Sequence, residues 1–154
     1  MLVTLRKIAA VGAVAFLAAL GGTATASAQP SAPHASGWST FQNQATGRCI
    51  DDSDFGFRTN ACNGSIYQKW TPIGSSGHSH QFQNQFTGRC IDDSDFGFRT
   101  NECNLSPYQM WFPYQTGGGY TLQNQFTGRC IDDSDFRFRT NVCNFTEYQT
   151  FFEG

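Results

Sequence analysis

Basic charge is scarce in this 154-residue chain: ten Lys and Arg stand against twelve Asp and Glu. The basic residues gather into no stripe, which argues against nucleic acid as a partner. Helical periodicity is missing outside the first two dozen residues, so helical bundles and α/β folds are excluded. Long apolar runs are missing as well. The run from Ile8 to Leu20 is too short and too Ala-rich to span a membrane comfortably, and no membrane insertion is expected. Catalytic constellations are also lacking. The three histidines, His34, His78 and His80, fall in leader or loop sequence, with no unit-specific Ser-His-Asp or Cys-His set beside them. The Asp-Asp-Ser-Asp run at Asp51 to Asp54 begins like a calcium loop but lacks its glycine spacing and distal glutamate. His78 and His80 have no further ligands near them in sequence. No enzyme activity, cofactor or metal is therefore expected.

At the start of the chain, Arg6 and Lys7 precede the apolar run, and small residues follow, ending in Ala26-Ser27-Ala28. This pattern predicts a secretory signal peptide over 1–28, bacterial in style, with a retained membrane anchor as the alternative. Residues 29–37 read as a flexible Pro/Ser/Ala leader. Without Arg6 and Lys7 the count is eight basic against twelve acidic residues, a net charge of −4. Six cysteines in an exported chain read as a disulfide framework, so the expected location is extracellular.

The sequence Gly-Arg-Cys-Ile-Asp-Asp-Ser-Asp-Phe occurs three times, from Gly47, Gly88 and Gly128. Cysteines pair off as Cys49 and Cys62, Cys90 and Cys103, and Cys130 and Cys143, each pair 13 positions apart. Like units should close alike, which selects those three pairings from the fifteen that six cysteines allow. Each closes a loop of about 14 residues, worth roughly 3 kcal/mol in the chain-entropy model. Short aromatic and β-branched runs broken by Thr-Gly, Phe-Gly and Asn-Gly read as strands, about four per unit and twelve in all. A unit of about 40 residues cannot bury its own apolar face, but three can do so around a common axis. The expected architecture is all-β: a β-trefoil domain over 38–154, with units 38–77, 78–117 and 118–154. A three-bladed propeller is the weaker alternative.

Between Cys49 and Cys62, a turn at Phe55–Gly56 would place the two cysteines opposite each other, Asp51 opposite Asn60 and Ser53 opposite Arg58. Strand alternation then puts Asp51, Ser53, Arg58 and Asn60 on one polar face, and Ile50, Phe57 and Ala61 on an apolar face turned to the core. Asn63 joins the rim. The bland alternative is a solvated turn with a surface ion pair. In the third unit Arg137 replaces the glycine, which strains any turn needing positive φ there. The motif nevertheless persists in three copies while its surroundings drift, and that favours binding.

Each unit closes with Tyr-Gln-x-Trp or its variant: Tyr67 to Trp70, Tyr108 to Trp111 and Tyr148 to Phe151. With Gly-Arg-Cys-Ile-Asp and Cys-Asn upstream, the chain resembles the ricin B-type lectins, nearest to the three-unit, actinohivin-like actinobacterial kind. The resemblance implies up to three shallow sugar pockets, with the Gln and the terminal aromatic structural. Its sugar-binding aspartate matches Asp51, Asp92 and Asp132, and its asparagine matches Asn63, Asn104 and Asn144. Where the family carries an apolar residue on the returning strand, this chain has Arg58 and Asn60, Arg99 and Asn101, and Arg139 and Asn141. Phe55, Phe96 and Phe136 at the tips either supply the missing apolar contact or fold inward as packing.

The expected function is secreted, non-catalytic binding of glycans, mannose-type or acidic, weak at each site and multiplied by three pockets on a monomer. The arginines raise the acidic-sugar option. A protein-interaction or inhibitor module acting through the loop Ser75 to Gln81 is the alternative, and a glycoside hydrolase is the third reading. The sequons at Asn63 and Asn144 are read as uncoupled to glycosylation in a bacterial chain.

Overall fold

The computed structural model describes residues 37–154; the expected signal peptide, and the leader up to residue 36, lie outside the described residues. Twelve strands form three sets of four. The first set is β1 (Phe41–Asn43), β2 (Arg48–Ser53), β3 (Gly56–Ala61) and β4 (Trp70–Ser76). The second is β5 (Ser79–Asn84), β6 (Cys90–Ser94), β7 (Gly97–Asn101) and β8 (Trp111–Thr116). The third is β9 (Gly119–Asn124), β10 (Arg129–Ser134), β11 (Arg137–Val142) and β12 (Phe151–Glu153). One 3-10 turn precedes the last strand of each set: Ile66–Gln68, Pro107–Gln109 and Glu147–Gln149.

Six strands close a barrel in the order β1, β12, β9, β8, β5 and β4. The ring shuts where Ser39 and Trp70 exchange two backbone hydrogen bonds of 2.8 Å. The other six make three hairpins, β2–β3, β6–β7 and β10–β11. Their returning strands send Phe57, Phe98 and Phe138 to the three-fold axis, with ring centroids 4.9 to 5.0 Å apart. The core is layered by symmetry. Ile50, Ile91 and Ile131 form one set, Phe41, Phe82 and Leu122 another, and Trp70, Trp111 and Phe151 a third, all buried. Each such side chain contributes about 1.5–3 kcal/mol by leaving water. The indole nitrogens donate to the carbonyls of Ile50 and Ile91 at 3.0 Å, which satisfies the single polar atom of each tryptophan side chain.

The three disulfides join the cysteines within each unit, with Cα atoms 5.0 to 5.1 Å apart. The cross-strand register differs from the expected one. Asp51 lies opposite Arg58, Ser53 opposite Gly56, and Cys49 opposite Asn60 rather than Cys62. The two-residue turn is Asp54–Phe55, and Gly56, at φ 93°, takes the positive dihedral just after it. A shift of two residues preserves which side chains share a face. Ala61 departs from the expected core face: it is exposed at the strand end. Between it and Phe57, Thr59 turns instead to a buried carboxylate of another unit. His80 and the stretch Ser75 to Gln81 also differ from expectation. They form the β4–β5 hairpin rather than a loop, with Ser79 and Gln81 buried.

Candidate functional site

The second aspartate of each motif, unassigned from the sequence, is wholly buried between units. Asp52 accepts from Arg89 Nη2 at 2.7 Å, Arg89 Nε at 3.2 Å, Thr87 Oγ1 at 2.5 Å and Thr100 Oγ1 at 2.9 Å. Asp93 holds Arg129, Thr127 and Thr140 in the same way. Asp133 closes the ring on Arg48, Thr46 and Thr59. Thus Thr-Gly-Arg, the second Asp and the Thr of Phe-Arg-Thr recur because they clasp three units head to tail. Bidentate pairing and full satisfaction of the carboxylate make each a strong buried link.

The first aspartate faces outward into a cleft. In the first unit a cavity of about 200 Å³ is lined by Asp51, Ser53, Asp54, Phe55, Arg58, Asn60, Asn63 and Tyr67. An equivalent one of about 200 Å³ in the third unit is lined by Asp132, Ser134, Asp135, Phe136, Arg139, Asn141, Asn144, Thr146 and Tyr148. The expected face is therefore assembled, with additions that sequence reasoning passed over. Chief among these is Tyr67, whose constant place before the Gln was the available signal. Tyr67 packs against Phe86 of the next unit in a tilted pair with centroids 4.5 Å apart, and Tyr108 against Phe126 at 4.3 Å.

Asp51 is fixed from behind. The buried Gln68 donates from Nε2 to Asp51 Oδ2 at 3.2 Å and to the Ala61 carbonyl at 3.0 Å, while its Oε1 accepts from the Asn63 amide at 2.9 Å. Gln109 and Gln149 serve Asp92 and Asp132 identically. The other oxygen, Oδ1, is buried and has no hydrogen-bond partner among the described residues in Asp51 and Asp132. In the second unit the Ser94 hydroxyl donates to Asp92 Oδ1 at 2.7 Å, so this oxygen accepts an O–H at close range. Arg58 Nε lies 3.7 Å from Asp51 Oδ1, an ion pair beyond hydrogen-bond length. Its guanidinium stacks over Phe55 at 5.1 Å, as Arg99 does over Phe96 at 5.0 Å and Arg139 over Phe136 at 5.6 Å. The three tip phenylalanines are 81–82% exposed, which decides against inward packing. Asn63, Asn104 and Asn144 sit at the rim, each accepting at Oδ1 from the backbone amide two residues on. Among the described residues no group of three or more His, Cys, Asp and Glu is placed to hold a metal ion.

Residues 67–141 match a family model described as ricin-type β-trefoil lectin domain-like. No curated protein matches the sequence. Among solved structures, the designed three-fold symmetric protein ThreeFoil matches with a TM-score of 0.69 at 12% identity, over 75% of this chain and 96% of that one. The chain is a β-trefoil. SeviL, solved bound to asialo-GM1 saccharide, matches with a TM-score of 0.67 at 12% identity, over 77% of this chain and 96% of SeviL. An exo-β-1,3-galactanase from Clostridium thermocellum, 1,3Gal43A, matches at 0.68 and 18% identity, over 75% of this chain but only 29% of the enzyme. This β-trefoil therefore spans less than a third of that enzyme. At these identities the likenesses concern the fold, which hosts many functions. Three disulfides suit an oxidising, extracellular setting, and among the described residues no helix is long and apolar enough to cross a membrane.

Proposed function

We propose that the chain is a secreted, non-catalytic glycan-binding protein of the three-unit lectin kind, carrying one weak pocket per unit. The observation that carries this reading is the buried Oδ1 of Asp51 and Asp132, which accepts no hydrogen bond among the described residues, at the base of a cleft walled by an exposed phenylalanine. A sugar supplies what that arrangement needs. A hydroxyl donates to Oδ1, as the Ser94 hydroxyl does to Asp92, and the apolar ring face covers aromatic surface. The family match and the saccharide-bound SeviL support the same reading.

The lining favours a neutral hexose, mannose-type included, over an acidic one. Asp51 and Asp54 outnumber Arg58, and Arg58 is already paired with Asp51 and stacked on Phe55. Binding without turnover follows from the triplication of every carboxylate in the cleft, since hydrolysis needs one asymmetric acid and base pair. The protein-module alternative loses its protruding loop, because Ser75 to Gln81 is an ordinary hairpin. The test is a glycan array of the oxidised protein beside the triple variant Asp51→Asn, Asp92→Asn, Asp132→Asn. The expected result is selective retention of neutral glycans by the parent and none by the variant. Equal retention by both, or turnover of an oligosaccharide by the parent, overturns the reading.

A further inference from the structure

One position breaks the repeat inside its most constant stretch. Gly56 and Gly97 adopt φ 93° and 97° after their turns, whereas Arg137 stands there in the third unit at φ 156°. This is backbone that side-chain-bearing residues rarely adopt. The Arg137 guanidinium has no hydrogen bond or ion pair among the described residues to compensate. Its position has a consequence for charge. A groove of about 470 Å³ between β7 and β11 is lined by Gly97, Phe98, Arg129, Arg137, Phe138, Arg139 and Thr140. Among the described residues no carboxylate lines it. At the boundary between the first and second units the residue equivalent to Arg137 is Gly97, so that boundary carries one guanidinium fewer.

Three guanidinium groups therefore face one cavity with N–H groups to spare. Arg129 commits Nε and one Nη2 hydrogen to Asp93, which leaves three of its five donors. Arg139 lies 3.6 Å from Asp132 without hydrogen-bonding it through Nε, and sits farther from its phenylalanine than Arg58 or Arg99 does. Arg137 contributes all its donors. Planar forks of this kind match the paired oxygens of carboxylate, sulfate and phosphate groups.

We infer that the β7–β11 groove is an oxyanion site, which depends on Arg137 and shares Arg139 with the sugar pocket of the third unit. The oxyanion is a carboxylate, sulfate or phosphate substituent of a glycan. Only its carrier rests on the glycan-binding reading; the anion contact itself does not. Glycan substitution would then decide orientation: a neutral residue enters a pocket while an acidic substituent lies across Arg137 and Arg139.

The test follows the arginine Nε–H NMR signals of the oxidised full chain during separate titrations with inorganic sulfate, inorganic phosphate and glucuronate. Chloride holds the ionic strength constant. Saturable shifts of Arg137 and Arg139 are expected, with glucuronate stronger if a carboxylate is the natural group and sulfate or phosphate stronger if an ester is. Arg137→Gly, which restores the residue of the other units, should weaken binding about tenfold, or roughly 1.4 kcal/mol. Neutral-glycan binding in that variant should be unchanged, whereas the Asp-to-Asn triple variant should lose neutral glycans and keep the anion. Shifts that never saturate, or an Arg139 response identical in Arg137→Gly, overturn the site without touching the sugar pockets.

Discussion

Neighbouring aspartates in each Cys-Ile-Asp-Asp run have opposite duties, because a strand sends consecutive side chains to opposite faces. Asp51 faces the cleft, and Asp52 faces the next unit, where Arg89 clasps it. Arg89→Ala leaves that buried carboxylate without its counter-charge. The expected cost is about 3 kcal/mol, at the low end of values for broken buried pairs because the two threonine hydroxyls remain. Thermal unfolding should drop by about 10 °C, with glycan specificity intact in the folded fraction. His80 supplies a separate test. Burial pushes its imidazole below the ordinary histidine range, a hydrogen bond to the Gly74 backbone opposes this, and His78 reinforces it. A lowered folded-state value means that the unfolded chain binds the proton more readily. This contribution is therefore fully present above the unfolded value near 6.5 and is lost as pH falls below it. Melting curves between pH 7.5 and 5 should show this decline, and His80→Gln should reduce it.

For the hairpins, the sequence indicated faces better than registers. The disulfide is no guide to register, since Cys49 lies opposite Asn60 and bonds Cys62 two residues on. The turn instead obeys Asp54-Phe55-Gly56, because the positive φ falls on the glycine after the turn and leaves Phe55 at the tip. The resulting slip is even, so Asp51, Arg58 and Asn60 still met. Asp52, Arg48 and Thr59 were not legible as a clasp, because their partners lie 35 to 85 residues away and no local periodicity reports such contacts. The third hairpin yields its own prediction. With Arg137 held at φ 156°, Arg137→Gly should raise stability by about 1 kcal/mol, read as a later denaturation midpoint with an unchanged slope. No gain would show that the turn accommodates arginine without strain.

For the whole molecule, three-fold closure joins stability to the proposed binding. The same hairpins that send Phe57, Phe98 and Phe138 to the axis carry the clefts on their outer faces, so the pockets are held at fixed separation by one rigid body. A millimolar site, the strength proposed for each pocket, is worth about −4 kcal/mol. Linking several such pockets on a body that presents them together gains roughly 10²–10⁴ in avidity on a branched or repeated glycan. Pocket loss should therefore be graded on a multivalent surface and nearly silent on a monosaccharide. Asp51→Asn alone should lower retention on a glycan-coated surface by about tenfold, and adding Asp132→Asn should lower it by at least as much again. The monosaccharide dissociation constant per remaining pocket should stay the same. Surface-plasmon measurements at high and low glycan density separate the two quantities. Retention that falls fully with the first substitution would mean that one pocket does the binding, and that the other two copies of the motif are kept for the clasp alone.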